Sequence, residues 1–374
     1  MKMPFQSVDQ LTRRELRGKK VLVRLDTNVS FVDGAVADPS RLIASVPTID
    51  FLIKAGVKQI FIIGHVEHKA SLRPVAGWLR KKYALDFVAD SEEARVARNQ
   101  IVLLENLRHD PREEKNDLAL AYDLANLADH YINDAFSVSH RTHTSIISVP
   151  KLLPTYAGLR FVTEYEALVP LLSADEPTLL ILGGAKFKTK LPVIEAFLPK
   201  AKNIFIGGAL AHVFFRKKKW EIGRSLIDDQ AKLSTTILKS KKNILPLDVV
   251  VIDRTSPRVK LASAVESNET IVDAGPETIK LLTEQLKNVK RVIWNGPIGN
   301  YEANFIKGTR DLAQAIISSG VYSVVGGGDT LAALAGTPYL NQFSFVSLAG
   351  GAMLEFLATG TLPGIKALTL KRRR

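Results

Sequence analysis

The chain of 374 residues reads as an α/β protein of two domains, each built on a mostly parallel sheet flanked by helices. Three observations predict this. Short apolar runs that suit buried strands recur along the whole chain, and helix-like amphipathic stretches separate them, which is the pattern of βαβ units. A chain of 374 residues that is 46% hydrophobic is long for one domain and sufficient for two separate cores. The residues just past the strands also change in kind halfway: they are polar and cationic in the first half, and glycines in the second.

The first strand candidate is 20–25, with Asp26, Asn28 and the Asp33-Gly34 turn at its carboxyl end. Residues 40–52 read as an amphipathic helix capped by Ser40, and Arg41 falls in its first turn, where a cation opposes the helix dipole unless an anion is near. Strand 59–64 leads to His65, 100–105 to Asn106 and Arg108, and 130–135 to the stretch holding His140 and Arg141; 72–83 and 117–129 are the helical separators. Parallel strands place their carboxyl ends along one edge, so Asp26, Asn28, His65, Arg108, His140 and Arg141 are expected on one rim. Guanidinium groups bind carboxylate and phosphate bidentately, and such a rim suits a small acid carrying both.

Prolines at 150 and 154 bracket a bend, and 162–172 reads as a helix connecting the halves. The alternation resumes at 178–182, which ends at Gly183-Gly184 and leads into a helix start bearing Lys186 and Lys190 one turn apart. Strand 203–206 ends at Gly207-Gly208, 249–252 is read as a further strand of the same alternation, and 291–294 ends at Asn295-Gly296-Pro297. Strand 323–325 ends at Gly326-Gly327-Gly328-Asp329, and 343–346 leads to 347–351. Glycines let backbone approach a ligand, and helix-start amides favour anions, so this edge is expected to hold a nucleotide. There is no GxxxxGK[ST] loop, and no GxGxxG opens a helix after the first strand.

The net charge of +13 is uneven: residues 1–150 carry 21 Lys+Arg against 19 Asp+Glu, and 151–374 carry 30 against 19. The basic runs 216–219, 239–242 and 371–374 lack aromatic interleaving, so they read as solvated faces and a tail rather than a nucleic-acid surface. The absence of cysteine excludes disulfides, thiolate metal sites and cysteine nucleophiles. No apolar run reaches the ~18 residues of a spanning helix, and the first twenty residues have no signal-peptide core, so a cytoplasmic protein without membrane partners is expected.

VLVRLDTNVSF, VLLENLRHD, NDAFSVSHRTHTS, LGGAKFKTKL, VIWNGPIGNYE and GGGDTLAAL occur in one order, and together they resemble the phosphoglycerate kinase family over essentially the whole chain. The resemblance implies a monomer of two Rossmann-like domains joined by a hinge helix. It divides the chain into 1–155 for 3-phosphoglycerate, the linker 156–172 and 173–355 for the nucleotide, with a tail from about 356 to 374 returning to the first domain. It implies phosphoryl transfer between ATP and the carboxylate of 3-phosphoglycerate, with Mg2+ on the nucleotide. The acid falls to Asp26, Asn28, His65, His68, Arg108 and Arg141. Arg41 and Lys186 serve the transferring group. The nucleotide falls to Gly183, Gly184, Lys186, Lys190, Gly207, Gly208, Asn295, Pro297, Glu302, Gly327, Gly328, Asp329 and Thr330, with Asp329 toward the metal. Gly350 and Gly351 form a helix-start phosphate site, and Phe187 and Thr189 are expected to be free to vary. A binding relative without catalysis, or a kinase for another small acid, is the alternative.

Three stretches depart from the family pattern. Gly64-His65-Val66-Glu67-His68-Lys69 stands where the family has Ser-His-Leu-Gly-Arg-Pro, so an arginine becomes His68 and Glu67 adds negative charge, with Lys69 or Arg73 as possible compensation. Leu348-Ala349 replaces Thr-Gly, and Ala349 is expected to be strained if that glycine needs positive φ. Ser137 stands for a glycine. The nucleotide site is expected to be retained, and turnover or affinity for 3-phosphoglycerate to be lower.

Overall fold

The computed structural model describes residues 3–253 and 256–369. The chain forms two compact units, one running to Glu166 and taking up the chain again from Thr361, the other comprising Ala167–Gly360.

In the first unit, strands β1 (Lys20–Arg24), β2 (Gln59–Ile63), β3 (Leu85–Val88), β4 (Ile101–Leu104), β5 (His130–Asn133) and β6 (Thr155–Ala157) form one sheet, ordered β3-β4-β2-β1-β5-β6. Its pairs are all parallel. Side chains alternate across a strand, so Val21, Val23, Ile60, Ile62, Ile101 and Leu103 face one layer, where they meet Ile49 and Leu52 of α1 (Ser40–Ala55) and Val75 and Leu79 of α2 (Arg73–Leu79). Leu22, Phe61, Ile63, Val102 and Leu104 face the other, against Leu120 and Leu124 of α3 (Leu118–Ala125). Covering both faces is what makes these strands uniformly apolar. The sequence reading lacks β3 and β6. Both are short edge strands, and Asp86 and Phe87 of β3 are only half-buried, so neither carries the continuous apolar signal of a central strand.

The expected Ser40 cap is corrected. Ser40 is the first helical residue, Pro39 holds the cap position, and the Asp38 carboxylate accepts from the Ser40 amide at 2.9 Å. The α1 helix runs to Ala55 and stops where Gly56 turns left-handed at φ 82°. The connecting helix α4 (Leu159–Leu168) begins earlier than the sequence suggests and gives way to a 3-10 turn at Val169–Leu172, since Pro170 supplies no amide to continue it.

The second unit contains β7 (Thr178–Leu182), α5 (Phe187–Phe197), β8 (Asn203–Ile206), α6 (Gly208–Lys217) and β9 (Asn243–Ile244). Next come β10 (Asp248–Ile252), β11 (Arg258–Leu261), β12 (Thr270–Ala274), α7 (Pro276–Leu286), β13 (Arg291–Asn295) and α8 (Lys307–Ser318). β14 (Tyr322–Gly326), α9 (Gly328–Leu334), β15 (Phe345–Ser347) and α10 (Gly351–Thr359) complete it. The main sheet has the order β9-β8-β7-β13-β14-β15, the doubly wound arrangement, whose strand order reverses between β7 and β13. β10 is not in this sheet, which corrects the sequence reading of 249–252. It is the centre of an antiparallel three-stranded sheet, β11-β10-β12. A short valine-rich run fits either kind of sheet, and only its partners decide.

Helix α11 (Pro363–Leu368) packs on the Thr144–Ile147 helix and on β6. The Gly364 amide donates to the Ser139 carbonyl at 2.8 Å. The basic run 371–374 lies outside the described residues. A Cβ on Gly364 would lie 2.6 Å from the Ser139 Cβ, so Gly364→Ala is expected to destabilise the first unit by roughly 1–3 kcal/mol. Urea unfolding with hydrogen exchange over α11 checks this; wild-type protection there would contradict it.

Candidate active site

At the carboxyl edge of the first sheet, Arg41 explains its place at a helix start. Its Nη1 donates to Asp26 Oδ1 at 3.3 Å and to the Asn28 carbonyl at 3.0 Å. The other Asp26 oxygen accepts from the Ser137 hydroxyl at 2.6 Å, so the serine that stands for a glycine fixes the carboxylate. His65, 2% exposed, has its Nδ1 2.7 Å from Nη2 of Arg24. A guanidinium only donates, so Nδ1 accepts and the proton sits on Nε2, which is buried without a hydrogen-bond partner among the described residues. Burial, with Arg24, Arg108 and Arg141 nearby, drives the His65 pKa far down and keeps the ring neutral. The ring is thus a neutral group with an unused buried N–H beside three arginines.

Arg24 is the group that the sequence reading missed, although a cation inside VLVRL was a signal. It is fully buried, and its Nε donates to the Ser145 hydroxyl at 3.1 Å. That hydroxyl donates to Glu113 at 2.5 Å. Burial raises the pKa of Glu113, against the pull of Arg24. His143 is pushed down to about 4 by burial and by Arg141 and Arg108. Burial also lowers the pKa of His140, whose Nδ1 has no hydrogen-bond partner among the described residues. Arg108 and Arg141 meet on the carboxylate of Glu67. His68 is exposed, at φ 56°.

In the second unit, the site is built where β7 and β13 diverge. The Gly183 amide donates to the Asn295 carbonyl at 3.0 Å, and the Gly184 amide to the Pro297 carbonyl at 2.7 Å. A Cβ on Gly183 would lie 2.2 Å from that Pro297 oxygen, and one on Gly208 would lie 2.6 Å from the Gly184 nitrogen. These loops touch backbone to backbone, which only glycine permits. Gly207 joins them through its amide, which donates to Leu182. Beside them lies a cavity of about 310 Å³, lined by residues including Lys186, Gly208, Pro297, Glu302 and Asp329.

Lys186 and Lys190 are not equivalent. Lys186 is the cap residue of α5, its side chain 72% exposed and its Nζ 3.6 Å from Asp329 Oδ2. Lys190 is buried, and desolvation lowers its pKa to about 8 despite Asp329. Phe187 is also buried, which corrects the expectation that it is free to vary; Thr189 is exposed. Tyr301, which the sequence reading passed over, donates to Asp329 Oδ1 at 3.3 Å. Asn295 is buried with Nδ2 lacking a hydrogen-bond partner among the described residues.

The Thr330 hydroxyl is engaged within the protein. Fully buried, it accepts from the Gly296 amide and donates to the Gly326 carbonyl, holding the Asn295-Gly296 turn to the start of α9. Gly327 has φ 98° and Gly328 opens that helix. At α10, Gly350 takes φ 55° and Gly351 opens the helix. Ala349 is buried and not at positive φ, so the expected strain is absent. Among the described residues no three His, Asp or Glu converge as a metal cage. Asp329 stands as a single carboxylate, which fits a Mg2+ that takes its remaining ligands from phosphates and water. No helix among the described residues is long and apolar enough to cross a membrane.

A profile described as phosphoglycerate kinase matches residues 10–360. The phosphoglycerate kinase of Salinispora tropica is 38% identical, over 98% of this chain and 100% of that protein. That of Thermus thermophilus is 39% identical, over 94% and 97%. The solved phosphoglycerate kinase of Coxiella burnetii gives a TM-score of 0.83 at 35% identity, covering 98% of both chains. The enzyme from Pyrococcus horikoshii gives 0.83 at 26% identity, covering 97% and 98%.

Lys190 carries a pH signature. Its folded pKa of about 8 lies below the ~10.4 of a free lysine, so between these values the unfolded chain binds more protons, and stability of the unliganded second unit rises with pH. The rise amounts to about 3 kcal/mol at most. Lys190→Met is expected to flatten it in urea unfolding between about pH 8 and pH 10; an unchanged slope would count against a desolvated Lys190.

Proposed function

The chain belongs to the phosphoglycerate kinase family, and we propose that it transfers a phosphoryl group reversibly between ATP and the carboxylate of 3-phosphoglycerate, giving ADP and 1,3-bisphosphoglycerate. The observation that carries this reading is the pairing of two sites on one chain. One unit gathers Arg41, Arg108, Arg141 and a neutral His65 at its sheet edge, and the other sets Lys186, Lys190 and Asp329 beside a glycine-walled cavity.

Asp26, Asn28, His65, Arg108 and Arg141 hold the acid, with His68 at the border of its pocket. The free Nε2–H of His65 donates to one of its anionic oxygens. The carboxylate nucleophile is already ionised at neutral pH, so no general base is needed. What remains for the protein is in-line positioning and positive charge on the equatorial oxygens of the transferring group. Arg41 supplies that charge on the acid side, and Lys186, exposed on its cap position, follows the group from the nucleotide side. Lys190 neutralises a nucleotide phosphate from below Gly184, where its burial makes the interaction strong. The Asn295 amide donates to a phosphate oxygen, and Gly183, Gly184, Gly207, Gly208, Pro297, Gly327 and Gly328 border the nucleotide. Gly350 and Gly351 offer helix-start amides to the group in flight, and Glu302 meets the ribose. Asp329 holds Mg2+, which offsets charge on the phosphates when bound. A relative used only for binding has no need of Arg41, Lys186, Lys190 and Asp329 together.

Purified protein is expected to turn over 3-phosphoglycerate with ATP and Mg2+ in an assay coupled to consumption of 1,3-bisphosphoglycerate. Binding of nucleotide without turnover of this acid would redirect the reading to another small acid. Arg41→Ala is expected to lower kcat by roughly a hundredfold or more and to leave nucleotide affinity within about twofold, because its charge acts on the transition state. An equal loss of ATP affinity would remove Arg41 from that role.

A further inference from the structure

Glu67 has no part in the reaction as assigned, yet it sits in the middle of the acid rim. Its Oε2 lies 2.5 Å from Nη1 of Arg108, and its Oε1 3.6 Å from Nη2 of Arg141. The Arg108 side chain is only 8% exposed, Arg141 34% and Glu67 45%. A guanidinium so withdrawn from water requires an anion, and the carboxylate of Glu67 supplies it. Glu114 adds only a longer contact, 3.4 Å from Nε of Arg108.

The carboxylate is aimed by its backbone. The Glu67 amide donates to Asn28 Oδ1 at 3.1 Å. On either side, Asn106 Nδ2 donates to the carbonyls of Val66 at 3.0 Å and Ala70 at 2.7 Å. His109 Nε2 donates to the Lys69 carbonyl at 2.8 Å. His68 and Lys69 come after Glu67 at φ 56° and 50°, a backbone state that side chains other than glycine seldom adopt. A turn tied at four points and bent against local preference holds Glu67 over the arginines.

We propose that Glu67 is an internal stand-in for the anionic group of the acid: it neutralises Arg108 and Arg141 when the site is empty and swings out toward solvent as ligand binds. This rests on the reading of Arg108 and Arg141 as ligands of the acid. An incoming anion gains the arginine pair only by displacing a carboxylate already there, so the affinity it realises is the difference between two ion pairs. A doubly charged phosphate displaces Glu67; a lone carboxylate competes with it on equal terms. Glu67 therefore sets how strongly charged an acid must be to enter.

The test compares wild type, Glu67→Gln and Glu67→Asp as full chains, titrated calorimetrically with 3-phosphoglycerate and, separately, with inorganic phosphate, alongside steady-state kinetics. Glu67→Gln is expected to tighten both anions roughly three- to tenfold, with KM for the acid falling in step and little change in kcat or in KM for ATP. Glu67→Asp, which keeps the charge and shortens the reach, moves the same way by less. Unchanged or weaker binding of both anions in a folded Glu67→Gln overturns the proposal. If that variant folds poorly, wild-type affinities in Glu67→Asp overturn it instead. Tighter phosphate binding by Glu67→Gln, in a protein that does not turn over 3-phosphoglycerate, would sink the substrate assignment and support the stand-in.

Discussion

Cations withdrawn from water organise both units. Arg24 and Arg108 are buried at the carboxyl edge of the first sheet, and Lys190 under that of the second. Burial of a charge is unfavourable unless something neutralises it, so each of these residues dictates its surroundings. Arg24 is met by a carbonyl, a serine backed by Glu113, and the accepting nitrogen of His65. Arg108 is met by Glu67 and Glu114. Burial, reinforced by Lys186 and opposed by Asp329, holds the pKa of Lys190 low. These withdrawn cations and the groups that meet them are what the two sheet edges present.

The sheets give these charges their geometry. In both, parallel strands deliver their carboxyl ends to one edge, and residues as far apart as Asp26 and Ser137 become neighbours there. The second unit adds a steric condition. The loops after β7, β8 and β13 lie so close that a single Cβ at Gly183 or Gly208 would strike backbone. That contact fixes the floor on which nucleotide phosphates are proposed to rest, and the Thr330 hydroxyl ties it to the start of α9.

Two of the three stretches that depart from the family pattern differ in kind. At Ala349 the backbone is not at positive φ, so the missing glycine leaves no strain. At 67–69 the reverse holds: two side-chain-bearing residues take left-handed φ, and the turn they make carries Glu67 onto the arginines. The loop sequence at 67–69 therefore sets the electrostatics of the first unit's rim, while the helix-start turn at Gly350 keeps a conformation that glycine favours.

The sequence by itself determined the α/β class, nearly all central strands and the glycines that border them, because apolar runs and positive φ are local requirements that composition reveals. It also led to the expectation that Asp26, Asn28, His65, Arg108, His140 and Arg141 share one rim, since parallel topology follows from alternation. Only the tertiary structure decided that residues 248–252 belong to an antiparallel sheet, that edge strands at 85–88 and 155–157 exist, and that Arg41 bonds Asp26. Only it distinguished Lys186 from Lys190 and showed Phe187 buried and Thr330 engaged within its loop. Each of these depends on atoms from segments distant along the chain, and burial and charge pairing are properties of that assembled surrounding rather than of the residue that carries them.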